Sequence, residues 1–325
     1  MTTTSLPRGR GSIIRASYQS ALATAMTTSF SELNTYGHDF QKSRPLGDDD
    51  ILGAGFANSV DARPAVPDVE DAKGSLLVPL DISQIGFWLG AAMGRVSATG
   101  TTPKSHVFSS GGLTLPSMTL ERQLISGQFE EMVGAVVTGI TFPFGAGAGY
   151  HQVGIDLAGV KIIEPYSSTL AGSPTVEALA NRVPKGVGVI KVATTQIGSI
   201  ISGSCKLTNS VDWDRYVGDS NFPSLAALTK QDVDFNLTAR YNTDALRAYG
   251  SLGSNLLPTA QQFDIEYTLS ASLKLTLTAK NVRCEPVNVP VQNGGTMTVG
   301  IKGRAEVDAS NAMLTATLLN SHATY

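Results

Sequence analysis

The chain has 325 residues, 42% of them hydrophobic and 16% charged, with a formal net charge of -3. That balance suits one large or two ordinary folded domains, and it lacks the basic surplus by which a nucleic-acid-binding protein holds phosphates. The two cysteines, Cys205 and Cys284, sit in strand-like segments and are expected as buried thiols in a reducing cytosol, with one disulfide as the alternative.

No charged stretch leads into an apolar run at the start, so no signal peptide is expected. Residues 1 to 75 read as an irregular N-terminal arm with first strands and loops. They carry Pro7, Pro45, Pro64 and Pro67 and the acidic run Asp48-Asp49-Asp50. The run lacks EF-hand spacing and reads as a solvated loop rather than a calcium site. Ser12 to Ala16 is a strand candidate. Leu76 to Leu80 is a short strand. Asp81 then caps a helix, with Gln84 completing a capping box. Ile82, Ile85, Leu89 and Met93 recur at helical spacing, and Gly94 supplies the stop. Trp88 is expected in the core, with ligand stacking as the minor reading.

Strands follow over 105–109, 113–122 and 132–142. The last is apolar but too short to span a bilayer. Pro116 stands inside the second, after Gly111 and Gly112. Proline cannot donate to a ladder, so it marks an edge strand or a place where the strand bends or changes partner. Gly145 to Gly149 is a turn, and 150–158 another strand. From Tyr267 to Lys280 the alternation is almost unbroken. Tyr267, Leu269, Ala271, Leu273, Leu275, Leu277 and Ala279 share one face, and Ser, Thr and two Lys the other. A single strand of that length is long or bent. Asn293-Gly294-Gly295 is a hairpin turn. Over 297–308, Met297, Val299, Ile301, Ala305 and Val307 face inward. A final strand covers 312–319.

The two halves share an order of elements. Ser75 to Gly94 matches a strand over Val233 to Tyr241, a short helix over Asp244 to Tyr249 and Gly250. Gln152 to Ile155 matches Thr298 to Ile301, and Met132 to Gly139 resembles Gln196 to Gly203. The period is domain-sized, about 150 residues. The expected division is residues 1–75 as arm and first strands, 76–185 as the rest of a first domain, and 186–325 as a second.

The chain offers no catalytic constellation. There are four histidines, His38, His106, His151 and His322, and no HExxH, paired CxxC, GxSxG or phosphate-loop GKS/GKT. His106 reads as a packed or surface residue. Gly145 to Gly149 is followed by a strand, not the helix that a dinucleotide site needs. Asn236-Leu237-Thr238 matches a glycosylation triplet that has no meaning without secretion. Glu130 and Glu131 are adjacent in a strand, so they point to opposite faces and cannot flank one bond. No catalytic residues, no cofactor and no metal are expected, and the chain is not read as an enzyme.

Several segments in succession carry a resemblance. These are Gly74 to Asp81, Phe87 to Gly94, His106-Val107-Phe108, Leu115 to Glu121, Gly203 to Asn209 and the strand from Leu314 to Asn320. Together they resemble the major tail tube proteins of long-tailed bacteriophages, over roughly residues 11 to 320. The stretch from Tyr36 to Lys73 departs from the pattern. The resemblance implies a mainly β fold, here two tandem tail-tube-like barrel or sandwich domains with a short helix each, plus long loops and arms. It implies rings stacked into a tube whose bore conducts double-stranded DNA into the host during ejection. It also implies partners: identical copies, a tape-measure protein within the bore, terminator and tip proteins, and no membrane. The expected location is the virion tail, assembled in the host cytoplasm. The alternative is a β-sandwich binding surfaces or carbohydrates, which would want clustered aromatics, and these are only 7% and scattered.

Geometry suits a ring. An unpaired strand edge is an aggregation hazard unless covered, and a head-to-tail ring covers it with the next copy. Six domains of four strands, at about 4.8 Å spacing and about 40° tilt, close a barrel on the order of 48 Å across. A duplex about 20 Å wide passes through such a bore. Tandem domains make that three chains per ring; without the repeat, six are expected.

Overall fold

The computed structural model describes residues 11–22, 24–47, 66–68, 70–197, 199–214, 222–223, 225–242, 245–252, 257–291 and 296–325. Among them the chain runs through β1 (Ile13–Tyr18), β2 (Ser31–Leu33), β3 (Gly37–Ser43), β4 (Leu46–Gly47), β5 (Val66–Pro67), β6 (Asp71–Pro79), α1 (Ile85–Met93), β7 (Lys104–Ser109), β8 (Met118–Ile125) and β9 (Gln128–Gly145). It continues through β10 (Gln152–Gly159), β11 (Lys161–Tyr166), β12 (Thr175–Val176), β13 (Val189–Val192), β14 (Thr195–Gln196), β15 (Ile200–Asp214), β16 (Leu225–Arg240), α2 (Ala245–Ala248), β17 (Gln261–Ser270), β18 (Leu273–Cys284), β19 (Thr298–Ala305) and β20 (Thr315–Asn320). The protein is mainly β, as expected.

β9 is the spine. Its C-terminal half pairs with β10 and β15, and its N-terminal half with β11 and β8. The change of partners falls next to Gly134, whose φ is +69°. A side chain there would collide with Val160, the residue between β10 and β11. Only glycine takes that backbone angle and that closeness without strain.

Below this point lies a sandwich. One layer runs β3-β6-β10-β9-β15-β16-β19. β19 then pairs with the end of β18. β18 pairs with β17 and β20, β17 with β13, and β20 with β7. β18 thus carries the sheet round a corner into a second layer. The layers meet through apolar residues at alternate positions: Phe235 lies edge-on to Phe263 at 5.3 Å, and the Tyr267 hydroxyl donates to the Pro143 carbonyl at 3.2 Å. α1 is buried nearly all round, Trp88 included, and so belongs inside. Above the bend an upper sheet runs β12-β2-β1-β8-β9-β11.

Several local expectations are corrected. The alternation from Tyr267 to Lys280 is a hairpin, not one strand. Ala271 and Ser272 turn the chain, and Tyr267 faces Leu275 while Ile265 faces Leu277. A two-residue turn alone sets odd positions against even ones, as Ser270 against Leu273, but the register shift between Thr268 and Ser270 restores odd against odd, so the pattern runs through the turn unbroken. Pro116 lies before its strand, which begins at Met118, and interrupts no ladder. Met297 and Val307 are exposed rather than inward, because β19 ends at Ala305 and begins at Thr298. Asp81 does not close a capping box. α1 starts after Gln84 without a side-chain cap, and Asp81 instead accepts from the backbone N–H groups of Ser83 and Asn181. The supposedly irregular N-terminal region holds β1 to β5 and the start of β6. Asp48 to Asp50, Asp244 and Asn293 to Gly295 lie outside the described residues. Cys205 and Cys284 are buried free thiols, and burial pushes them up to about 12 and about 11.

Candidate assembly surface

Two hairpins outrun the body of the molecule. β15 is paired with β9 only from Ser202 to Thr208, and β16 with β19 only from Asp234 to Arg240. Past those points, Asn209 to Asp214 pair with Leu225 to Gln231 and, among the described residues, with no other strand. The second hairpin is β3 with β6, continued by β4 with β5. The shared rows Asp39–Ser75–Asp156–Gly139–Thr208 place both projections beyond the same end of the sandwich layer. A two-stranded ribbon is marginal alone in water, and its unpaired N–H and C=O groups are ready templates for another strand.

The root of the first ribbon is built from polar groups. Asn209 is buried at the fork where β15 leaves β9 and β8 takes over. Its amide donates to the Val137 carbonyl at 2.9 Å and the Ala92 carbonyl at 3.0 Å. Its oxygen accepts from Gln231 at 2.8 Å, and the Gln231 oxygen accepts from the Gly111 N–H at 2.6 Å. The ribbon is therefore clamped to α1's end, to β9 and to the loop before β8. Gly111, noted in the sequence only as preceding Pro116, sits at this clamp. Asn209 itself fell within a segment of family resemblance, yet nothing local marked it as a fork pin.

The outward face of the seven-stranded layer is a broad wall. One row across it reads Asp39, Ser75, Asp156, Gly139, Thr208 and Asp232. The next reads Leu77, Gly154, Thr141, Lys206, Asp234 and Arg304. Gly139 leaves room for the Asp156 carboxylate, 2.7 Å from where a Cβ would stand. Charges on the wall balance locally: Lys206 lies 3.4 Å from Asp156, and Lys230 and Arg304 both pair with Asp232. The hydrogen bond from Lys230 and the charge of Arg304 hold Asp232 below the usual carboxylate range. The opposite face, on β17 and β18, is also self-paired. Lys274 reaches Glu266 at 3.2 Å, beside Lys191 at 2.8 Å, and Lys280 donates to Gln262. Those two lysines find their partners within the chain.

The remaining candidates for chemistry are separated. His106 is buried, with Nε2 at 3.2 Å from the His322 carbonyl and its ring against Tyr325. Glu130 pairs outward with Arg122 at 2.6 Å, whereas Glu131 points to the other face. Among the described residues no group of three His, Cys, Asp or Glu side chains could hold a metal ion, and no helix is long and apolar enough to cross a membrane.

A family model described as phage tail tube protein matches residues 10–318. No curated protein matches the chain. Among solved structures, the toluene transporter TbuX of Ralstonia pickettii is similar at 12% identity, over 95% of this chain and 87% of that one, with a TM-score of 0.08. That score carries no argument about fold or function.

Proposed function

The chain belongs to the phage tail tube protein family, and from that premise we propose that copies of it pair through their projecting hairpins into closed rings, which stack into the tube. It is a structural subunit of the viral tail. The observation that carries the ring is the ribbon from Asn209 to Gln231, which has open edges on both sides among the described residues. A neighbouring copy supplies the missing strand partners, and rotation closes the set.

In this reading the seven-stranded wall lines the bore. Its hydroxyls, glycines and paired charges wet the surface without the lysine and arginine density that would trap phosphates. Double-stranded DNA passes along it into the host. The tape-measure protein occupies the bore before ejection, and terminator and tip proteins close the ends. Assembly takes place in the host cytoplasm. The division into 1–75, 76–185 and 186–325 is a proposal about descent by duplication, with ladders now shared between the halves through β9–β15 and β7–β20. Three chains per ring follow from it, and six follow without it.

The test is negative-stain microscopy of the full chain beside a variant with residues 211–229 replaced by Asn-Gly, a turn that closes two-residue hairpins. The full chain is expected to form rings or tubes, and the shortened chain to stay folded and solitary. Tubes from the shortened chain, or a wild type that is monomeric at every concentration, would sink the ribbon's role. A cryo-EM map with a bore narrower than a duplex would end the DNA reading alone.

A further inference from the structure

The upper sheet carries an acid that assembly does not use. Glu131 is fully buried, and neither of its carboxylate oxygens has a hydrogen-bond partner. Its direct partner across the ladder is Glu121, also fully buried. Side chains so placed have Cβ atoms about 5 Å apart.

The two acids are treated differently. Glu121 accepts from Arg15 at 2.8 Å, Thr169 at 2.7 Å, the Leu170 N–H at 2.7 Å and the Tyr166 hydroxyl at 3.1 Å. Three of those four donors belong to residues 166–171, the end of β11 and the loop after it. Glu121 is thus the anchor that holds this segment over the sheet, with Ala171 buried beneath it. The charged and titratable groups facing Glu131 are Glu121 from β8 and Lys161 and Tyr166 from β11, and Arg15 of β1 stands in the same row beyond Glu121, to which it is paired. Arg15 is shared with Glu32 of β2 at 3.4 Å. The segment 19–30, which donates the Met26 N–H to Thr119 on this same face, has no titratable side chain.

A neutral Glu131 is tolerable in such a place. An ionised one has no donor, and a second carboxylate faces it. Burial first, and then the charge of Glu121, push Glu131 up to about 7, with Lys161 opposing.

We propose that Glu131 is the proton site of a clasp: while it is protonated, segment 166–171 stays closed on Glu121, and its ionisation loosens that segment from the sheet. When the proton leaves to solvent, Arg15 is drawn toward a second carboxylate and its hold on Glu121 weakens. The clasp is closed in acid and loosened in mild alkali, and it holds whether or not rings form.

The test is amide hydrogen exchange of the full chain from pH 5 to pH 8.5, corrected for intrinsic rates, read at residues 167–171. Protection is expected to fall at least tenfold across the range with a midpoint near neutrality, while amides of β17 and β18 keep theirs. Glu131→Gln should give the acid level of protection at every pH. A flat wild-type profile, or a Glu131→Gln profile that slopes as the wild type does, overturns the proposal. Should Glu131→Gln fail to fold, the carboxyl carbon of Glu131 in isotope-labelled wild type decides: protonation persisting at pH 6 supports the clasp, and ionisation complete by pH 5 overturns it.

Discussion

The sandwich and the upper sheet share β9, yet they are buried by opposite means. In the sandwich, Phe235, Phe263, Tyr267 and Leu277 fill the space between two layers, and charged side chains stay on the outer walls. In the upper sheet, Arg15, Glu121 and Glu131 lie under loops, on a face that strand patterning would assign to solvent. The first region is stabilised by apolar area removed from water. The second depends on every buried charge finding its donors, and Glu131 does not. In the upper sheet stability should therefore fall as pH rises past Glu131, whereas in the sandwich the buried His106 and His151, which burial lowers, cost stability as pH falls.

The largest expected effect breaks the sandwich. Phe235→Ala should cost about 3–5 kcal/mol in chemical denaturation, because a large cavity opens against Phe263. A loss below about 1 kcal/mol would mean that the layers do not meet there.

Next comes the contrast in pH. Glu131 is raised in the folded state, from 4.5 to about 7. The native chain then binds more protons than the unfolded one between those values, and stability falls as pH rises through that window. The loss is about 3 kcal/mol at about 1.36 kcal/mol per pKa unit, and Glu131→Gln should remove it. Glu121 works in the other direction. Burial pushes it up, but the hydrogen bonds from Thr169, Arg15, Leu170 and Tyr166 outweigh burial and lower it. Its contribution is present above its unfolded value near 4.5 and is lost as pH falls below that. His38, His106 and His151, all lowered first by burial, gain stability as pH rises toward 6.5 and so oppose Glu131, whose share is read as the difference in thermal stability between wild type and Glu131→Gln. A difference between wild type and Glu131→Gln that stays level from pH 5 to 7 would contradict the assignment.

Asn209→Leu tests the fork between the regions. It leaves the Val137 and Ala92 carbonyls and Gln231 without their partner, at about 1–3 kcal/mol. It should also disorder tube assembly more than Phe235→Leu does at equal stability, as counted in micrographs. Gly134→Ala tests the bend itself, with an expected loss of about 1–3 kcal/mol from the positive φ and the crowding on Val160. Arg304→Ala on the outer wall should be the mildest, within about 1 kcal/mol, because its pair with Asp232 is exposed.

Much of the sandwich was legible along the chain. Alternation marked Val299, Ile301, Tyr267, Leu275 and Leu277 as inward, and all are buried. Gly94 ends α1 with φ +105°, as its position promised. The same alternation hid the hairpin at Ala271 and Ser272, because the register shift between Thr268 and Ser270 restores the parity that a two-residue turn changes. The upper sheet was hardly legible. Glu130 and Glu131 were separated correctly by face, but which face would be covered depended on loops far away in sequence. Likewise the Tyr36 to Lys73 stretch showed proline and acid rather than pattern, although β3 and β6 pair across it.

The sequence by itself determined the β class, the inward residues of most strands, the want of a familiar catalytic motif and the likeness to tail tube proteins. These follow from local periodicity and from the order of short motifs, which neighbours along the chain suffice to express. Only the tertiary structure decided that β9 serves two sheets, that Asn209 pins a projecting ribbon, and that Glu131 is buried beside Glu121. Each of these depends on contacts between residues far apart in the chain, and no one-dimensional pattern records which backbone edge stays unpaired or which acid loses its water.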